Sequence, residues 1–289
     1  MVYSDGDKSG STRRRLVQEL YDADIPYPMY GVGQLVACHG KLLQHDDALV
    51  IGTTAFQIYL AHAGIAVKDS YFAQTYDVDI AIRRYAPVAN KRMRPRLSWD
   101  IAQRRYYNDY FSAQMDLLTP HFPKEPKGIV WLPDLNTYAF TMPWKSAPSF
   151  SFLLQESVSE VILLGDGLPV RVPEPIRFAL HKLVCSVLPA RRDYLLKPGK
   201  DRKQALTVLA QLDTSAISPA LREEFRACGA PACRHLARAV EECEERDLLQ
   251  ADWLGALGSL TEGFTRKPRK IEPSFPRLCP APGCASLAP

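Results

Sequence analysis

The chain has 289 residues and a mass of 32.4 kDa, room for one large domain or two modest ones and far more than a disulfide-stapled miniprotein needs. Hydrophobic residues make up 46% and charged residues 24%, which excludes wholesale disorder, and a net charge of +4 is too slight to require a polyanionic partner. A polar start at Met1 to Gly10, no apolar run of about 18 residues, and seven irregularly spaced Cys lead to the expectation of a cytoplasmic protein with reduced thiols and no membrane span.

In chain order, residues 1–12 read as a disordered lead-in, Arg13 to Tyr21 as a helix, and Gly33 to Leu43 as a second helix after the breaks at Pro26 and Pro28. Ala48 to Ile51 is a short apolar run ending in Gly52, the profile of a buried strand. Ala55, Phe56, Tyr59, Leu60 and Ala63 then recur at helical spacing, with Thr53 as N-cap and Gly64 as the stop. Thr75 to Ile82 alternates strictly, which puts Tyr76, Val78, Ile80 and Ile82 on one face of a strand and Asp77, Asp79 and Ala81 on the other. Asp100 to Leu118 is expected to be helical. Ile129 to Leu132 and Thr137 to Met142 form a hairpin turned at Pro133 to Asn136, and Val158 to Leu164 with Pro169 to Val172 give two further strands joined at Gly165 to Gly167. From Pro173 onward the pattern becomes helical, with helices expected from Ile176 to Val187, Lys200 to Gln211, Pro219 to Ala227, Pro231 to Arg246 and Leu248 to Leu260. The tail from Phe264 holds six of the 23 prolines and the cluster Arg266 to Lys270, a composition that suits a solubilising segment.

Two features carry chemistry. Two Asp at i and i+2 put like charges on one strand face, where a hard cation such as Mg²⁺ or several donors must neutralise them unless that face lies in open water. Gly52-Thr53-Thr54 lies at a strand-to-helix turn, where a glycine lets a phosphate approach the backbone and the helix start offers free N–H groups. One helix separates the two, so both can sit side by side in one sheet, one holding a triphosphate and the other its metal.

Leu49-Val50-Ile51-Gly52-Thr53 and Tyr76-Asp77-Val78-Asp79-Ile80 resemble the signature of the nucleotidyltransferase superfamily, whose fold is that of DNA polymerase β, with Thr53 replacing the usual small second residue. Gly167 to Pro173, Ala179-Leu180-His181-Lys182-Leu183 and Lys200-Asp201-Arg202-Lys203-Gln204-Ala205 bring the likeness closer to one bacterial branch of that superfamily, over about residues 30 to 245. The resemblance implies an α+β fold: a mixed-sheet nucleotidyltransferase domain over 1–172, an all-helical domain over 173–262, and a Pro-rich basic tail over 263–289, expected to be disordered. It also implies Asp77 and Asp79 as catalytic metal ligands for Mg²⁺ or Mn²⁺. Gly52, Thr53, Thr54 and Lys182 follow as nucleotide-binding residues, with an NTP, first ATP, as substrate.

One departure stands out. The superfamily places a third carboxylate on the strand beside the Asp-x-Asp strand, and the best match, Thr137 to Pro143, has Ala139 there; Asp116, Asp134 and Glu156 fit less well. Without that group the two-metal clamp on attacking and leaving oxygens is incomplete. Two readings therefore stand at this stage. One is a Mg²⁺-dependent transfer of NMP to a hydroxyl of RNA, protein or a small molecule. The other is a degenerate chain that binds nucleotide or a protein partner without turnover, as in a toxin–antitoxin pair. Lys182 reads either as a point charge for the triphosphate or as a snorkelling surface lysine, and His181 beside it as a structural histidine. Arg83 to Arg105 carries eight basic residues against one acid, with Tyr85 and Trp99 interleaved, which suits a surface for unpaired bases or a plain solvated face. Cys228, Cys233, His235 and Cys243 lack the two tight pairs of a zinc site and read as buried thiols.

Overall fold

The computed structural model describes residues 45–66, 77–83, 106–108, 113–120, 129–132, 137–142, 148–161, 169–189 and 196–264, with isolated positions at 15, 18, 19, 22, 23, 43, 72, 73 and 75. The expected lead-in, most of the first two helices, the basic stretch from Arg84 to Arg105, the turns holding Asp134 and Asp166, and the tail from Thr265 lie outside the described residues.

A strand with no polar position has no wet face, and Ala48–Ile51 (β1) is buried at all four residues. Gly52 turns the chain directly into helix α1 (Gly52–Ala63), which Gly64 ends in the left-handed conformation at φ 66°. Thr53 to Ile58 are all buried, so α1 is a central helix, packed on β1 and on β2 (Asp77–Ile82). β2 runs antiparallel to β1, with Ala48 opposite Ile82 and Ile51 opposite Asp79. Its alternation matches burial: Val78, Ile80 and Ile82 are buried, and Asp77 and Asp79 are half-buried.

The helix expected from Asp100 to Leu118 is not what the described part of that segment forms. It contains strands β3 (Tyr106–Asn108) and β4 (Ala113–Pro120) instead. β4 pairs with β2 in parallel and with β3 antiparallel. The β2 partner of β4 lies more than 30 residues away, and a scan for local periodicity cannot register a partner at that distance. β5 (Ile129–Leu132) and β6 (Thr137–Met142) form the expected hairpin, and β6 joins β4 in parallel. The mixed sheet therefore has the order β1-β2-β4-β6-β5, with β3 on β4. After the short helix α2 (Phe150–Leu153), β7 (Ser157–Val161) and β8 (Pro169–Pro173) make a separate antiparallel pair, β8 resting on β1.

Helices then follow as the periodicity predicts, within a few residues at each end: α3 (Pro175–Ser186), α4 (Lys197–Leu209), α5 (Pro219–Ala227), α6 (Ala230–Glu244) and α7 (Ala251–Thr261). Pro175 sits in the first turn of α3, where its missing N–H costs nothing, and the Ser218 hydroxyl caps α5 by accepting from Leu221 N at 3.1 Å. Arg177, 3% exposed, is satisfied by Glu174, Gln155, Glu224 and the Phe152 carbonyl, and so ties α3 to α2 and α5. The α+β class is as expected, and a single cluster of buried residues runs from Leu43 through the sheet and α3 to Leu260 of α7. Cys233 and Cys243 lie in that cluster, and burial pushes the nearby Cys228 thiol up to about 11. No helix among the described residues is long and apolar enough to cross a membrane.

Candidate active site

The site begins at the C-terminal end of β1. Gly52 has φ +68°, a conformation that L side chains rarely adopt, and a Cβ built on it would overlap the Asp79 carboxylate, its Cγ only 3.1 Å away. The expected glycine requirement is thus set twice, by backbone conformation and by the carboxylate seated against the turn. The start of α1, with its unbonded N–H groups, is brought up to Asp79 by the same contact.

β2 carries Asp77 and Asp79 two residues apart and therefore on one face. Thr54, fully buried, donates its hydroxyl to the Asp77 carbonyl at 3.4 Å, so the first turn of α1 is strapped to the acidic strand. The Thr75 hydroxyl donates to Asp77 Oδ1 and thereby sets the orientation of that carboxylate. Thr53, 9% exposed, accepts from Gln204 Nε2 at 3.2 Å. In this structure, then, both threonine hydroxyls make bonds within the protein, and what the turn presents outward is backbone.

A further carboxylate lies on β4. Asp116 is the residue paired with Asp79 across the parallel ladder, and paired residues in such a ladder project from the same face with strands about 5 Å apart. Ala139, the best match by sequence, is not on the strand beside β2. β6, which carries Ala139, is separated from β2 by β4, and Ala139 itself is fully buried. Glu156 lies just before β7, outside the large sheet and exposed. Asp116 was passed over because a helix was expected where β4 runs. The signal that could have found it is the stretch Met115-Asp116-Leu117-Leu118-Thr119-Pro120, a lone acid in an apolar segment that ends in proline.

Cations approach from the helices. Lys182 of α3, 7% exposed, donates to Asp201 Oδ1 of α4 at 2.7 Å, with its Nζ 5.6 Å from the centre of the Phe178 ring. Lys200, the neighbour of Asp201 in the chain, has its pKa lowered by burial first and by Lys182 second, while Asp77 and Asp201 pull it the other way.

Asp77, Asp79 and Asp116 lie on one face of the sheet, beside a helix start able to face phosphate oxygens, and carboxylate oxygens are the donors a hard divalent cation takes. Among the described residues no three His, Cys, Asp or Glu side chains are gathered closely enough to hold a metal by themselves.

Compared with known proteins, residues 41–228 match a family model described as nucleotidyltransferase. The matched span begins just before β1 and ends at Cys228, and so covers the sheet, the Gly52 turn, Asp77, Asp79, Asp116, Lys182 and Lys200. No curated protein and no solved structure matches the chain.

Proposed function

The chain belongs to the nucleotidyltransferase family, and from that premise we propose that it is a Mg²⁺-dependent enzyme transferring NMP from an NTP to an acceptor hydroxyl with release of pyrophosphate. The observation that carries this reading is the register Asp79 to Asp116, which puts a third carboxylate beside the Asp77–Asp79 pair at the Gly52 turn. Asp77 and Asp79 would hold the metal, with Mn²⁺ as a substitute for Mg²⁺. When bound, the ion supplies positive charge against the triphosphate and the developing charge of the leaving group. The backbone of Gly52, Thr53 and Thr54 at the start of α1 would take phosphate oxygens, and Lys182 and Lys200 would add cationic charge on the leaving-group side. The acceptor oxygen forms a bond to the α-phosphorus, the bond from that phosphorus to the bridging oxygen of pyrophosphate breaks, and the hydroxyl proton passes to Asp116. Positioning and charge compensation dominate such a reaction.

ATP is the first NTP to test, and RNA, protein and small-molecule hydroxyls are the acceptor classes. A reducing cytoplasmic setting belongs to the same reading, supported by thiols at Cys228, Cys233 and Cys243 that form no disulfide. The alternative, a chain that binds nucleotide or a partner without turnover, stems from the lack of a carboxylate at Ala139, and the placement of Asp116 beside Asp79 is what favours turnover over it.

The test is label transfer from NTPs to a mixture of cellular RNA and protein in Mg²⁺ or Mn²⁺. Asp77→Ala/Asp79→Ala should abolish transfer, and Asp116→Asn should lower it by about a hundredfold or more, the usual cost of losing a general base. Transfer that survives the double substitution would remove Asp77 and Asp79 from the chemistry. Metal-dependent ATP binding with no transfer to any acceptor class would favour the non-catalytic alternative.

A further inference from the structure

Gln204 of α4 is fully buried, and both hydrogens of its amide are committed. Nε2 donates to Thr53 Oγ1 at 3.2 Å and to the Phe72 carbonyl at 2.6 Å. Gln57, one turn after Thr53 on α1 and 2% exposed, donates in the same way to the Ala73 carbonyl at 2.7 Å. Carbonyls cannot donate, so both amide nitrogens must face residues 72 and 73 and both amide oxygens must face away from them. Among the described residues, neither Gln57 Oε1 nor Gln204 Oε1 has a hydrogen-bond partner. A buried acceptor left unmade offsets much of what the donated bonds contribute, so these amides are a poor device for stability alone. What they do deliver is placement.

Gln204 touches two segments that each hold one carboxylate. Thr53 belongs to the turn whose Gly52 lies against Asp79, and Phe72 precedes Thr75, whose hydroxyl orients Asp77. We propose that Gln204 is a positioning residue of the acidic site: by bonding both segments from α4, it sets the spacing of Asp77 and Asp79 relative to the Gly52 turn. The same helix brings Lys200 toward Asp77, four residues earlier and so on the same face as Gln204. α4 thus acts as the rear wall of the site, through an amide that never meets the nucleotide. The inference rests on reading the Asp77–Asp79–Asp116 face as a metal–nucleotide site.

The test follows Mn²⁺ binding in the presence of ATP by electron paramagnetic resonance on the full chain, with urea unfolding measured alongside. Gln204→Met keeps the shape and removes both donors. It should weaken Mn²⁺·ATP binding by about tenfold, the loss typical when a group that orients a metal ligand is removed, while the unfolding midpoint moves little. Thr53→Val removes the same bond from the other partner and should produce a comparable loss, and the double variant should fall no further than the weaker single variant. Wild-type affinity in either single variant, or losses that simply add in the double variant, would overturn the role of Gln204. So would a loss that tracks a large drop in the unfolding midpoint, since Gln204 would then act on the fold rather than on the site. A wild-type chain that fails to bind Mn²⁺·ATP would instead overturn the site reading itself, an outcome distinct from the others.

Discussion

At Gly52 a single hydrogen atom decides whether the site can exist. The φ of +68° and the overlap of any Cβ with the Asp79 carboxylate act together, so Gly52→Ala has no low-energy solution that leaves Asp79 in place. The left-handed backbone alone costs about 1–2 kcal/mol for a residue with a Cβ, and moving Asp79 would change the proposed metal ligand set. Gly52→Ala is therefore expected to lower stability by about that amount in urea unfolding and to abolish Mn²⁺·ATP binding. A variant that binds normally would show that Asp79 does not need to rest on the turn. Asp77 and Asp79 were legible from the chain because alternation in a strand of period two assigns a face to every residue. Asp116 was not, because its meaning depends on which strand lies beside it.

Between elements, the buried pair of Lys182 and Asp201 joins α3 to α4 directly behind the site. Removing one member of such a pair leaves the other charged and out of water, which typically costs about 3–5 kcal/mol, whereas replacing both by apolar groups can be close to neutral. Lys182→Met is accordingly expected to be strongly destabilising in chemical denaturation, and Lys182→Met/Asp201→Leu to recover most of the loss. Losses that simply add in the double substitution would mean that Lys182 and Asp201 act independently rather than as a pair. The hairpin β5–β6 and helices α3 to α7 were legible because their signals are local: turn residues, proline at helix starts and apolar stripes at helical spacing. β4 was missed because its strand character comes from pairing with β2 and β6, which lie far away in the chain. Four of the pairs that hold β4 to β2 in register flank the Asp79–Asp116 pair itself.

Across the whole molecule, the change from sheet to helices near residue 172 falls inside one continuous core. Phe56 of α1 stacks on Phe178 of α3 with ring centres 6.4 Å apart, and the Tyr59 hydroxyl donates to the Pro173 carbonyl at 2.6 Å. Gln204 reaches Thr53 across the same boundary. A fragment of residues 1–172 would expose the face of α1 that α3 and α4 cover. It is expected to lack dispersed amide resonances and a cooperative unfolding transition, while the full chain shows one. A well-dispersed spectrum from the fragment would establish two separable domains.

By itself, the sequence determined the α+β class, the strand–turn–helix at Ala48 to Gly64, the acidic face of Asp77 and Asp79, and the helical second half. These depend on backbone preferences and side-chain periods that operate over a few residues. Only the tertiary structure decided that β4 and not β6 lies next to β2, and hence that Asp116 rather than Ala139 faces Asp79. It also decided that Lys182 of α3 pairs with Asp201 of α4 and that Gln204 reaches both Thr53 and Phe72. The physical reason is the same in each case: the partner is distant in the chain and is chosen by how the whole core packs, which no local period records.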